Sequence, residues 1–166
     1  TSTGVGGRAA IMSGPVDVTS EITGGRIGGL LQVRDVLLPG YIDRLDRLAY
    51  AVASDVNTAH TGGYDLAGAA GQNFFAPPAA VAGAAAAFAM NAAVAADPRL
   101  VAAAGSPSPG DNQAARVIAG LGDRTMTGAS TRPVESWAEL VSRVGTDAKT
   151  AALHRDAHGE VMVQIQ

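Results

Sequence analysis

His154 and His158 have the spacing with the clearest chemical meaning in this sequence. Residues four apart lie on one face of a helix, so two histidines at this spacing can bind a zinc ion together. Asp156 or Glu160 could complete such a site. A metalloprotease helix, however, carries a glutamate directly after its first histidine, and Arg155 occupies that position here. We therefore expect a solvated helix face, with a metal-binding module or zinc-dependent hydrolase as the alternative.

The glycine-rich segment 24–29 is similar to a phosphate-binding loop in composition only. A P-loop needs lysine and then serine or threonine after its last glycine, whereas Leu30 and Leu31 follow here. A dinucleotide-binding loop needs a buried strand before it, and the sequence shows no such pattern. The chain has no cysteine, which excludes a thiol nucleophile, disulfides and thiolate metal sites. We expect no catalytic residue, no cofactor and no metal ligand, and hence no enzyme.

The composition argues against nucleic acid and membrane as partners. Only 12 lysines and arginines are spread along 166 residues, and the net charge is −3, so the basic patch of a nucleic-acid-binding protein is absent. No apolar run approaches the roughly 20 residues of a membrane-spanning helix. Apolar residues reach 47% and aromatic residues only 4%. Because much of this apolar content is alanine, which favours helices and buries little area, we expect closely packed helices around a thin core.

The first half of the chain predicts a strand pair and a long helix. Residues 8–12 and 16–19 have the pattern of short strands, separated by turn residues at 13–15. Apolar residues then recur at three- and four-residue steps up to Thr61, which indicates a helix. Pro39 should kink or break this helix, because proline removes a backbone donor and clashes with the preceding turn. The well-formed part is expected at residues 41–60.

The second half predicts loops and further helices. Residues 62–75 should form an ordered loop or hairpin, pinned by Tyr64, Phe74 and Phe75. A short strand is expected at residues 88–90. The remaining helical segments are expected at Asp97-Pro98, at residues 113–121 behind a cap at Asp111 or Asn112, and from Val134 to the chain end. The predicted fold class is mainly α with a small β element or hairpin.

An apolar line on the long helix is expected to pack against one on the last helix. The predicted core residues are Leu31, Leu37, Ile42, Leu45, Leu48, Val52, Val56, Trp137, Leu140, Val144 and Ala151. The charged residues expected mostly on the outer face of the long helix are Asp43, Arg44, Asp46 and Arg47.

The order of residues from 17 to 75 resembles the flagellar hook-associated protein 1 family. Residues 17–31, DVTSEITGGRIGGLL, are similar to a family segment that leads into an Arg-Asp pair, here Arg34 and Asp35. In that family a long helix then ends with an Asn and a His before a Gly-x-Asp-Leu-x-Gly loop. The matching residues are Asn57, His60, the loop 63–68, and then Gly71, Phe74 and Phe75. Residues 90–121 and 137–145 also look like later parts of the family.

The resemblance implies the helical inner domain of a flagellar axial protein. Residues 1–75 would supply the strand pair, the long helix and the Gly/Phe loop, and residues 90–166 would complete the same domain with a short strand and helices. Between them, residues 76–89 form an Ala/Pro linker where many family members carry a β-rich outer domain. The family's terminal helices have no counterpart, so the chain is interpreted as a central-to-late fragment of a longer protein.

The resemblance also implies a function, that of a structural junction or adaptor subunit between hook and filament. Such subunits self-assemble into a ring-like layer and contact the hook protein and the second hook–filament junction protein. The flagellar type III system exports them, so the expected location is extracellular, in the bacterial flagellum. An export chaperone would bind the missing C-terminal region. Nucleic acid and membrane are not expected partners.

Overall fold

The computed structural model describes residues 7–164, with side chains described up to residue 157. The chain divides into two compact units, residues 1–42 and residues 43–166. The main elements are the strands β1 (Met12–Ser13) and β2 (Val16–Asp17) and the helices α1 (Gly25–Gln32), α2 (Leu38–Thr61), α3 (Ala92–Ala96), α4 (Gln113–Ala119) and α5 (Pro133–Gln164). The predicted mainly α fold with a small β-hairpin is confirmed.

The β-hairpin of the first unit is shorter than predicted. The two strands are antiparallel, and the paired residues are Met12 with Asp17 and Ser13 with Val16. Gly14 in the turn has a φ of +59°, a conformation that is strained for residues with a side chain. The N–H of Ile11 donates to the hydroxyl of Thr19 (2.8 Å) instead of to a strand backbone. The strand predicted at residues 8–12 is therefore present only at its last residue.

The long helix changes its hydrogen bonding before the proline and is not broken at it. A π-helical turn, Val33–Leu37, separates α1 from α2. There the N–H of Leu38 donates to the carbonyl of Val33, five residues back. Pro39 lacks an N–H and its ring crowds the preceding turn, and the wider π turn accommodates both effects. Of the predicted kink or break at Pro39, the break is therefore wrong, and the irregularity in hydrogen bonding lies one turn earlier. The kink stays a prediction.

The second unit combines most of α2 with α3, α4, α5 and the loops between them. The single-residue β-bridges of this unit join Tyr64 with Ala70, Tyr64 with Ala104, and Phe75 with Met90. The loop 62–75 is thus ordered and held near both ends, as predicted. The strand expected at residues 88–90 is reduced to the bridge at Met90.

Two aspartates start helical turns as predicted. Asp97 accepts a hydrogen bond from the N–H of Arg99 (3.0 Å) and precedes a 3₁₀ turn. Asp111 accepts one from the N–H of Gln113 (2.9 Å) at the start of α4, whereas Asn112 makes no capping hydrogen bond. Each carboxylate satisfies a backbone donor that the first turn would leave unpaired.

The core is built from small residues of the second unit. The buried apolar residues are Ala51, Ala53, Ala84, Val94, Ala102, Ala114, Met126 and Leu140. Of the predicted core line, only Leu140 is among them. Residues at intermediate depth are Leu31, Leu37, Leu45, Leu48, Val52 and Val56, and those exposed are Ile42, Trp137, Val144 and Ala151. The prediction followed the large side chains, but backbone segments approach most closely where the side chains are small.

Helices α2 and α5 lie beside each other at one polar groove. Arg44 of α2 lines this groove together with Ala138, Ser142 and Thr146 of α5. The side chains of this groove are largely polar, and the predicted packing of the two apolar lines against each other stays a prediction.

Candidate functional site

The described side chains contain no cluster that could hold a metal ion. Up to residue 157, no three histidine, aspartate or glutamate side chains are placed to hold a metal ion. His154 is exposed on α5, and its neighbours Arg155 and Asp156 form an ion pair with each other (2.7 Å). The side chains of His158 and Glu160 lie outside the described residues. The zinc pair therefore stays a prediction with no structural support.

The most specific arrangement is a row of three buried polar side chains on α2, here named the docking triad: Asp46, Asn57 and His60. The intervals of eleven and three residues keep them on one side of a helix with 3.6 residues per turn. All three bind loop backbone: Asp46 binds the segment 76–89, Asn57 binds the loop 62–75, and His60 binds that loop and Ala102. The triad therefore positions the loops of the second unit.

Asp46 holds the segment 76–89 against α2. Its two carboxylate oxygens accept hydrogen bonds from the N–H groups of Gly83 (2.8 Å) and Ala85 (2.9 Å). Ala84, between these two donors, is buried. Hydrogen bonds to an ionised acceptor are stronger than those between neutral groups. The segment expected to be a linker is thus docked on the helix, and the placement of Asp46 on the outer face is wrong.

Asn57 binds the backbone of Phe75 through both ends of its amide. Its Oδ1 accepts from the N–H of Phe75 (2.8 Å), and its Nδ2 donates to the carbonyl oxygen of the same residue (3.1 Å). A carboxylate could only accept here and an apolar side chain could do neither, so asparagine is specifically suited to this position. Asn57 thereby fixes the end of the loop 62–75.

His60 is fully buried and connects two loops through its ring nitrogens. The N–H of Ala102 donates to Nε2 (2.8 Å), which makes Nε2 an acceptor and assigns the ring proton to Nδ1. Nδ1 then donates to the carbonyl oxygen of Gln72 (2.5 Å). Both nitrogens of a neutral imidazole are satisfied, which explains how a polar ring is tolerated in this core.

Two glycines allow the loop 62–75 to lie directly on its neighbours. A Cβ at Gly71 would overlap the carbonyl oxygen of His60, and a Cβ at Gly63 would stand 2.7 Å from the Cβ of Ala114. Neither glycine has a positive φ. Close approach, not backbone strain, is therefore the reason for glycine at these positions.

The Gly-x-Asp-Leu-x-Gly loop is stabilised from within by its aspartate. Oδ1 of Asp65 accepts hydrogen bonds from the N–H groups of Ala67 and Ala69, both at 2.9 Å. Gly68 has a φ of +75° between them, which closes the turn. Leu66 is left 79% exposed, so this loop presents a large apolar side chain to solvent.

An aromatic row continues from the triad to the segment 76–89. His60 meets Phe74 edge-on at a centroid distance of 5.3 Å, and Phe74 meets Phe75 at 5.0 Å. Phe75 packs on Phe88 at 4.5 Å. Offset and edge-on ring pairs contribute about 0.5–1.5 kcal/mol beyond area burial. The double phenylalanine therefore links His60 to the second end of the docked segment.

Arg34 and Asp35 form the corresponding polar contact of the first unit. The guanidinium donates to both oxygens of Asp35 (2.8 and 2.9 Å) and to the carbonyl oxygen of Ala9 (2.8 Å). Arg8 lies 3.6 Å from the same carboxylate. The hydrogen bonds from Arg34 hold the pKa of Asp35 below its usual value. This pair ties the segment before β1 to the π-helical turn.

Two exposed apolar surfaces remain on the described residues. The first, named the α1 face, belongs to the first unit and consists of Ile27, Leu30, Val33, Val36 and Leu38. The second, named the α5 line, consists of Val134, Trp137, Val141 and Val144. Every buried apolar side chain described lies in the second unit. Among the described helices, none combines the length and hydropathy that a membrane span requires.

In the sequence, only the family resemblance singled out Asn57 and His60. Asp46 was predicted on the outer face of the helix, whereas it is buried. Asp46 lies eleven residues before Asn57, which is close to three full turns. That spacing puts the two side chains on one face, and it is the signal that could have predicted a buried carboxylate.

Comparison with known proteins gives one match. Residues 3–75 match the family model of the flagellar hook-associated protein FlgK helical domain. No curated protein and no solved structure matches the chain significantly. The matched segment contains the Arg34–Asp35 pair, and it contains Asn57 and His60 together with the loop 62–75 that these two bind.

Proposed function

Residues 3–75 belong to the family of the flagellar hook-associated protein FlgK helical domain, and from this we infer that the protein is a junction subunit between hook and filament. The family itself supports a structural role in the hook-associated part of the flagellum. The position at the junction is our proposal, and the family match is the one observation that supports it.

The distribution of apolar surface agrees with a subunit of a larger assembly. The α1 face exposes Leu30 and Val36 by about three fifths (61% and 59%), and among residues 7–42 no apolar side chain is buried. Contiguous exposed apolar patches are rare on monomeric proteins and mark interaction sites. We propose that the α1 face and the α5 line are the surfaces covered by neighbouring flagellar subunits.

The proposed partners follow from the same role. Copies of the protein would form a ring-like layer, bounded by the hook protein on one side and the second junction protein on the other. Export through the flagellar type III system, with an export chaperone as a further partner, would deliver the chain outside the cell. The absence of cysteine suits a chain that is exported unfolded.

Binding to isolated hooks tests the proposal. The full-length protein, with the terminal helices that the resemblance implies, is mixed with purified hooks, sedimented, and located on them by electron microscopy with an attached label. We expect saturable binding confined to the distal end of each hook. Binding along the whole hook would assign a different axial role, and no binding by a protein whose circular dichroism shows intact helices would overturn the junction role.

A charge placed on the α1 face tests the proposed contact surface. Leu30→Asp combined with Val36→Asp should reduce hook binding at least tenfold, because burying an unpaired carboxylate in an interface is costly. The matched control is Leu66→Asp, at an apolar position that is 79% exposed in the loop 62–75 and outside the α1 face. Equal loss with the control would show that added charge alone weakens binding and would remove the α1 face from the proposal.

A further inference from the structure

We draw no further inference here: the strongest candidate, the α5 line of Val134, Trp137, Val141 and Val144, is an unpartnered apolar helix face already included in the proposed assembly surface, and nothing in the structure shows which chain covers it.

Discussion

The Nε2 atom of His60 accepts a hydrogen bond from the backbone N–H of Ala102, a residue 42 positions further along the chain. The same ring binds the carbonyl of Gln72. One imidazole at the end of α2 thus binds two loops, which the bridge between Tyr64 and Ala104 also joins, and His60 is the buried side chain that holds both of them to the helix.

Replacing His60 should be among the most damaging single changes. His60→Ala leaves the Ala102 N–H and the Gln72 carbonyl buried without partners and opens a cavity, so we expect a loss of about 3–5 kcal/mol in the free energy of unfolding. Urea denaturation followed by circular dichroism measures it. His154→Ala, at an exposed position of α5, is the control and should change stability by less than about 0.5 kcal/mol. Similar values for the two variants would contradict the role assigned to His60.

Asp46 should control the order of the segment 76–89. In Asp46→Ala, the N–H groups of Gly83 and Ala85 lose their acceptor, and we expect their hydrogen exchange to accelerate by about ten- to a hundredfold, since about 1.5–3 kcal/mol per charged hydrogen bond is removed. Exchange followed by mass spectrometry locates the effect.

The control for Asp46 is a carboxylate one turn earlier on the same helix. Asp43 is exposed and pairs with Arg47 across one turn (2.9 Å). Exposed pairs of this kind contribute about 0–1 kcal/mol, so Asp43→Ala should leave exchange in the segment 76–89 unchanged. Accelerated exchange in this control would mean that net charge on α2, not docking, orders the segment.

Two glycine-to-alanine substitutions should change the free energy of unfolding in opposite directions. Gly71→Ala forces a methyl group into the carbonyl of His60 and should destabilise by about 1–3 kcal/mol or more. Gly145 lies inside α5 with open space around its Cβ position, so Gly145→Ala should stabilise by about 0.5–1 kcal/mol. Thermal unfolding of both variants checks this, and destabilisation by Gly145→Ala would contradict the helix described there.

Acid should weaken the start of α4. The pKa of Asp111 lies below its usual value of 3.8, chiefly because its carboxylate accepts from the Gln113 N–H and also from the Ser106 hydroxyl. A lowered folded-state pKa means that this stabilisation is complete above pH 3.8 and is lost as pH falls through the folded-state value. Urea midpoints between pH 6 and pH 2.5 should show the loss, and Asp111→Asn should show a shallower dependence. Parallel curves for both proteins would rule out this contribution.

Zinc should not bind stoichiometrically. We expect less than about a tenth of a zinc ion per chain by elemental analysis, because a site needs at least three protein ligands and Asp156, a candidate third ligand, is paired with Arg155. Stoichiometric zinc that disappears in His154→Ala would revive the metal-binding alternative.

Hydrophobic periodicity predicted the secondary-structure elements better than it predicted which residues are buried. α2 and α5 follow from apolar residues at three- and four-residue steps, and the hairpin follows from its turn residues. The short helix α3 was not predicted, because an alanine run between prolines carries no periodic signal. The partners of Asp46 are backbone groups 37 and 39 residues away, so they could not be predicted from the sequence around it; only its eleven-residue spacing from Asn57 indicates the side of the helix on which it lies.

The bridge between Phe75 and Met90 also determines how the molecule can change over evolution. Phe75 and Met90 lie next to each other, so the segment between them begins and ends at the same place on the helical part of the second unit. Lengthening a closed loop costs only about 0.6 kcal/mol for each doubling. A short segment or a whole additional domain can therefore be inserted between Phe75 and Met90 while Asn57 keeps its hydrogen bonds to Phe75. Gain or loss of a peripheral domain at this point should therefore change the loop-closure free energy of the helical unit only slightly.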